Sequence, residues 1–123
     1  MKKYLILLCT ITFLSCNQSP ELKGFDQVKW QSDAEGCKGY RTALIDTLLQ
    51  QKDQLHGLSQ NQIGQFLGKA DKHELYERSQ KFFIYNVEAG KNCANTEGDY
   101  YKALYIRFNS LDQAVAFTIQ EVK

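Results

Sequence analysis

Two periodicities divide the chain. Between Lys38 and Gln54 the apolar side chains fall at Tyr40, Leu44, Ile45, Leu48 and Leu49, with Leu55 just beyond. Steps of four, one and three gather on one face of a helix. Ser32 or Asp33 stands where a capping residue is expected, and Gly57 breaks the run. The next stretch, GLSQNQIGQFLGKAD, reads as a second, short helix. Ser59 and Gln62 have the spacing of a capping box, Ile63, Phe66 and Leu67 form an inward face, and Gly68 suits the left-handed residue that closes a helix. A helix this short is held by packing rather than by its own propensity. After residue 72 the period becomes two. KFFIYNVEAG (81–90), YYKALYIRF (100–108) and QAVAFTIQEV (113–122) are aromatic and β-branched, and predict strands. Leu104, Ile106 and Phe108 alternate onto one face, as do Val115, Phe117 and Ile119, and NSLDQ between them fits a hairpin loop. HELYERS (73–79) reads either as an additional edge strand or as a loop. The expected architecture is α+β, in the order α-α-β-β-β. Two helices pack on one face of an antiparallel sheet of three strands, or four if 73–79 is a strand.

The N-terminus changes the picture. Lys2 and Lys3 precede an apolar run from Tyr4 to Leu14, eleven residues long. At about 1.5 Å per residue it covers roughly half of a ~30 Å hydrocarbon core, too little to span but the length of a secretory signal. Phe13-Leu14-Ser15-Cys16, followed by polar Asn17-Gln18-Ser19-Pro20, resembles a bacterial lipoprotein signal. An ordinary signal peptide with an incidental cysteine, or a membrane helix, are the other readings of this stretch. The resemblance implies that Cys16 is lipidated and becomes the first residue. It divides the chain into a signal at 1–15, a tether at 16–25 that carries Pro20 and Gly24, and one domain at 26–123. At about 0.8 kcal/mol per buried methylene, two or more acyl chains hold a protein to the bilayer almost permanently. Asn17, not Asp, follows the cysteine, and this implies an outer-membrane lipoprotein facing the periplasm.

Without residues 1–15, 108 residues remain, enough for one domain with one core. Lys2 and Lys3 leave with the signal, so 13 basic and 14 acidic side chains remain and the net charge shifts from +1 to −1. That balance provides no basic surface for nucleic acid. Of the four cysteines, Cys9 leaves with the signal and Cys16 carries lipid, so Cys37 and Cys93 are the expected disulfide in an oxidising compartment. Neither lies in a C-x-x-C. Trp30, the single tryptophan, is expected as a lid at the edge of the core.

LHGLSQNQIGQFLGKAD, then FFIYNVEAG, then LYIRFNS with AFTIQ, resembles the SmpA/OmlA (BamE-like) family of small outer-membrane lipoproteins. Leu67-Gly68 matches its Leu-Gly-x-Pro motif, and Ala70 stands where the family has proline. The resemblance covers roughly residues 55 to 120 and implies a non-catalytic accessory of outer-membrane β-barrel assembly. A duplicated version of the architecture resembles the β-lactamase-inhibitor proteins, so a periplasmic binder or inhibitor of one enzyme is the alternative expectation.

Candidate chemistry is sparse. His56 and His73 have no metal-ligand spacing, Glu74 and Glu77 are not placed as an acid–base pair, and GKADK lacks the features of a phosphate loop. No catalytic residue, metal, cofactor or small-molecule substrate is assigned. The sheet's other face is the candidate site. If Leu104, Ile106 and Phe108 face the helices, then Tyr101, Ala103, Tyr105 and Arg107 face away, beside Ala116, Thr118 and Gln120. Strand 81–90 adds either Phe82 and Ile84 or Phe83 and Tyr85. Tyrosine and arginine concentrate in interface centres, so Tyr101, Tyr105 and Arg107 are the expected contacts for a protein partner. The plain alternative is that tyrosines simply cover a one-sided sheet.

Overall fold

Helices precede strands. The computed structural model describes residues 19–94, 96 and 98–123. Residues 1–15, expected to be a signal, and Cys16 lie outside the described residues. Three helices, α1 (Gln27–Ser32), α2 (Tyr40–Gln50) and α3 (Gln60–Leu67), lead into four strands, β1 (Lys72–Tyr76), β2 (Gln80–Asn86), β3 (Tyr101–Phe108) and β4 (Ala114–Val122). The sheet is antiparallel throughout, in the order β1-β2-β3-β4. The fold is α+β; the stretch 73–79 contains most of the fourth strand, β1, with 77–79 forming the turn into β2.

The core forms where the helical layer meets one face of the sheet. Trp30, Ile45, Leu48, Ile63, Phe66 and Leu67 from the helices meet Phe83, Tyr85, Leu104, Ile106, Phe108 and Phe117 from the strands. The third helix, α1, lies in FDQVKWQS, where no element is expected from pattern. Asp26 caps it by accepting from the Lys29 amide at 3.0 Å. This helix carries Trp30 inward rather than to the rim: the residue is fully buried, with its ring centroid 5.5 Å from Phe25 and 6.2 Å from Tyr85. Leu22 is buried and Phe25 packs against the core, so the stretch read as a tether contributes to the domain.

The inward face of α2 is rotated from the expected one. Arg41, Ile45 and Leu48 are buried, Leu44 and Leu49 are half-buried, and Tyr40 turns outward beneath Lys29. The reason is electrostatic. The Arg41 guanidinium lies 2.6 Å from the Asp71 carboxylate, donates to the Trp30 and Asn86 carbonyls, and sits over the Trp30 ring at 5.2 Å. A buried charge is tolerated when it is paired and hydrogen-bonded in this way. The residue at the N-cap of α2 is Gly39 rather than Ser32 or Asp33, because α1 ends at Ser32; Asp33 still reaches the helix start from a distance, its carboxylate accepting from the Lys38 and Arg41 amides. In α3 the Ser59–Gln62 capping box is complete. Gly68 follows with φ 79° and ψ −175°, an extended conformation essentially confined to glycine rather than the left-handed cap. Its carbonyl accepts from the Tyr85 hydroxyl at 2.8 Å.

A β-bulge alters the pattern of β4. Arg107 pairs with Ala116 but Phe108 pairs with Ala114, so Val115 has no opposite residue. Ala114 is therefore buried in place of Val115. Ile119, opposite Leu104 on the edge strand, is 37% exposed, so it forms the rim of the core rather than part of it. Cys37 and Cys93 are joined by a disulfide that ties the approach to α2 to the β2–β3 connection. Beside it Gly36 passes so close to β2 that a Cβ there would meet the Glu88 carbonyl oxygen at 2.6 Å.

Candidate interaction face

The pleat decides which side chains turn away from the helices. Phe83 and Tyr85 face the core, so Phe82 and Ile84 lie on the open side, which settles the alternative left by sequence. Across the strands Glu74 pairs with Phe82, Phe82 with Arg107 and Arg107 with Ala116. The next row runs from Lys72 through Ile84 and Tyr105 to Thr118. Tyr101, at the start of β3 opposite Val122, shares this face. Tyr101, Tyr105 and Arg107 are thus brought to one side of the sheet.

Phe82 and Tyr76 extend the site beyond those three. Tyr76 meets Phe82 edge-on with centroids 5.3 Å apart, and Phe82 meets Tyr105 edge-on at 5.7 Å. These T-shaped contacts make one aromatic row across three strands. Along it runs a shallow groove of about 560 Å³, with Glu74 and Arg107 among its lining residues and Thr118 and Gln120 on its β4 side. Ile84 and Ala103 are buried although they lie outside the core cluster, so this side of the sheet has an apolar floor of its own. Arg107 Nη1 donates to Gln80 Oε1 at 3.1 Å, and among the described residues the guanidinium forms no ion pair. Lys72 pairs with Glu74 at 3.2 Å, and this hydrogen bond and charge raise the Lys72 ammonium above its usual range. Partial burial, with the Glu74 charge adding to it, raises the Tyr105 phenol. Both groups keep their ordinary neutral-pH charge states: the phenol remains a donor and the lysine a cation.

The other candidate positions are elsewhere. His73 lies on β1 on the helix side, its ring 4.5 Å from Phe83, in a groove bordered by α3 residues Gly64 and Gln65. His56 is exposed beyond α2. No group of three or more His, Cys, Asp and Glu among the described residues is placed to hold a metal ion, and no described helix is long and apolar enough to cross a membrane. The buried Arg41–Asp71 pair escapes sequence reading because its partners are 30 residues apart. Tyr76 joins the face only because β1 is a strand, where it and Glu74, two residues apart, share one side; Phe82 joins it through the phase of β2. The chain matches no protein-family model, no curated protein and no solved structure.

Proposed function

We propose that this chain is a lipid-anchored protein of the cell envelope that acts without catalysis, binding a protein partner through the open face of its sheet. One observation carries the reading: the row Tyr76–Phe82–Tyr105 lies beside an arginine that, among the described residues, has no carboxylate partner, on the side of the sheet that no described helix covers. Aromatic rings bury large areas with few rotatable bonds, and a guanidinium offers a planar fork to a carboxylate. Such residues dominate the energetics of interface centres. The membrane end of the reading rests on Cys16 and the lipoprotein-like segment before it. The resemblance to SmpA/OmlA proteins supports an accessory role in outer-membrane assembly.

The test is affinity capture of the lipidated protein from solubilised envelopes. Tyr105→Glu and Arg107→Glu are each expected to abolish capture while leaving the thermal midpoint nearly unchanged. Capture that survives both changes makes the face inert and overturns the reading. The captured species separates assembly from inhibition: barrel-assembly components in the first case, one soluble enzyme in the second.

A further inference from the structure

The segment entering the domain is fixed against the helical layer. Leu22 is 6% exposed in the core, and Phe25 stacks on Phe66 with ring centroids 5.7 Å apart. The Lys23 backbone exchanges two hydrogen bonds with the Gln51 side chain, each 2.7 Å. Ser19 and Pro20 consequently lie over the helices, where they border a groove of about 170 Å³ with Gln27 of α1 and Asn61, Gln62 and Gln65 of α3. The open face of the sheet is on the other side of the domain.

Cys16 precedes Ser19 by three residues, a reach of at most about 11 Å even when fully extended. A lipid on Cys16 is therefore on a leash about as long as a helix is thick. We propose, on the reading of Cys16 as the lipidated residue, that the amide-lined helical face around Pro20 lies against the bilayer headgroups and turns the aromatic face of the sheet away from the membrane.

The chemistry of the patch suits that occupant. Gln27, Asn61, Gln62 and Gln65 are uncharged amides; the Gln62 oxygen accepts from the Ser59 amide and Gln27 Nε2 donates to the Gln65 carbonyl, which leaves the Gln62 amide protons and the Asn61 and Gln65 amides to meet headgroups. They can hydrogen-bond to phosphate oxygens and to ethanolamine ammonium groups without an ionic side chain having to shed its water. The flanking charges, Glu21 and Lys23, are of opposite sign, so the entry segment neither repels nor selects an anionic surface. Val28, 78% exposed on α1, adds an apolar side chain to the helical layer. The short leash rather than strong adhesion sets the orientation. The sheet lies beyond the helices, at least one helix diameter, about 10 Å, further from the lipid.

The experiment uses the full lipidated chain in phosphatidylethanolamine–phosphatidylglycerol vesicles that contain a nickel-chelating headgroup lipid. A nitroxide is attached through a ketone-bearing unnatural amino acid at position 28, where Val28 is 78% exposed on α1 outside the groove, or at position 118, leaving the disulfide and the α3 capping box untouched. Relaxation of the label at 28 is expected to exceed that at 118 several-fold. A flexible Gly-Ser spacer of about twenty residues inserted after Gln18 is expected to bring the ratio close to one. Equal relaxation at the two positions without the spacer, or faster relaxation at 118, overturns the orientation while flotation with the vesicles leaves the anchor standing. Failure to float with the vesicles overturns the anchor, and the orientation with it.

Discussion

Two arginines with opposite surroundings show what single residues do here. Arg41 is buried, ion-paired and hydrogen-bonded, and its partner Asp71 also accepts the Glu35 and Asn86 amides. Asp71→Ala leaves a guanidinium and two amides without their acceptor, so a loss of roughly 3–5 kcal/mol is expected in urea denaturation. Arg107 lies at the solvent-facing groove with one neutral partner. Arg107→Ala is expected to change stability by about 0.5 kcal/mol or less, and to be felt in binding instead. Tyr85 gives a pH signature. Burial pushes its phenol far above the usual range, partly opposed by Arg41, with Asp71 adding to the rise. A raised folded-state value means that the stability is fully present below the unfolded tyrosine value of about 10 and is lost as pH climbs above it. Between pH 10 and 11 the native protein is expected to lose up to about 1.4 kcal/mol more than Tyr85→Phe does. A parallel decline in the two proteins contradicts this.

At the scale of elements, local signals were legible and long-range ones were not. The α3 capping box and the period-two strands could be read because their determinants lie within a few residues of each other. The face of α2 could not, because burial of Arg41 depends on Asp71, 30 residues away. The phase of strand 81–90 was equally hidden: Phe82, Phe83, Ile84 and Tyr85 make both phases apolar, and the choice falls to the core that Phe83 and Tyr85 join. Val115 was misplaced because a bulge shifts the alternation by one residue. For the candidate site, Tyr101, Tyr105 and Arg107 follow from the clean alternation of β3, whereas Tyr76 needs β1 to be a strand and Phe82 needs the phase of β2. The turn joining β1 to β2 supplies a prediction of its own. Arg78 and Ser79 have φ of 57° and 62°, a conformation that favours Asn and Gly. The double replacement Arg78→Asn, Ser79→Gly is expected to raise unfolding free energy by about 1 kcal/mol, read from a shifted urea midpoint at constant slope.

Across the whole molecule, the helices, one face of the sheet and the disulfide form the part that holds the fold, and the opposite face carries the Tyr76–Phe82–Tyr105 row. The Cys37–Cys93 bond closes a loop with a sequence separation of 56. On the entropic account its reduction is expected to cost about 4 kcal/mol, a large share of the roughly 5–15 kcal/mol of a small domain. Reduced protein should therefore unfold at much lower urea, with the sheet face lost together with the core. The central claim concerns the face itself, and site-specific photocrosslinking in living cells tests it most directly. Benzoylphenylalanine at position 105 is set against the same probe at position 40, where Tyr40 is 40% exposed on the helical side. The account predicts a discrete protein adduct from position 105 that disappears with Arg107→Glu and is absent from position 40. No adduct from position 105, or the same adducts from both positions, contradicts it.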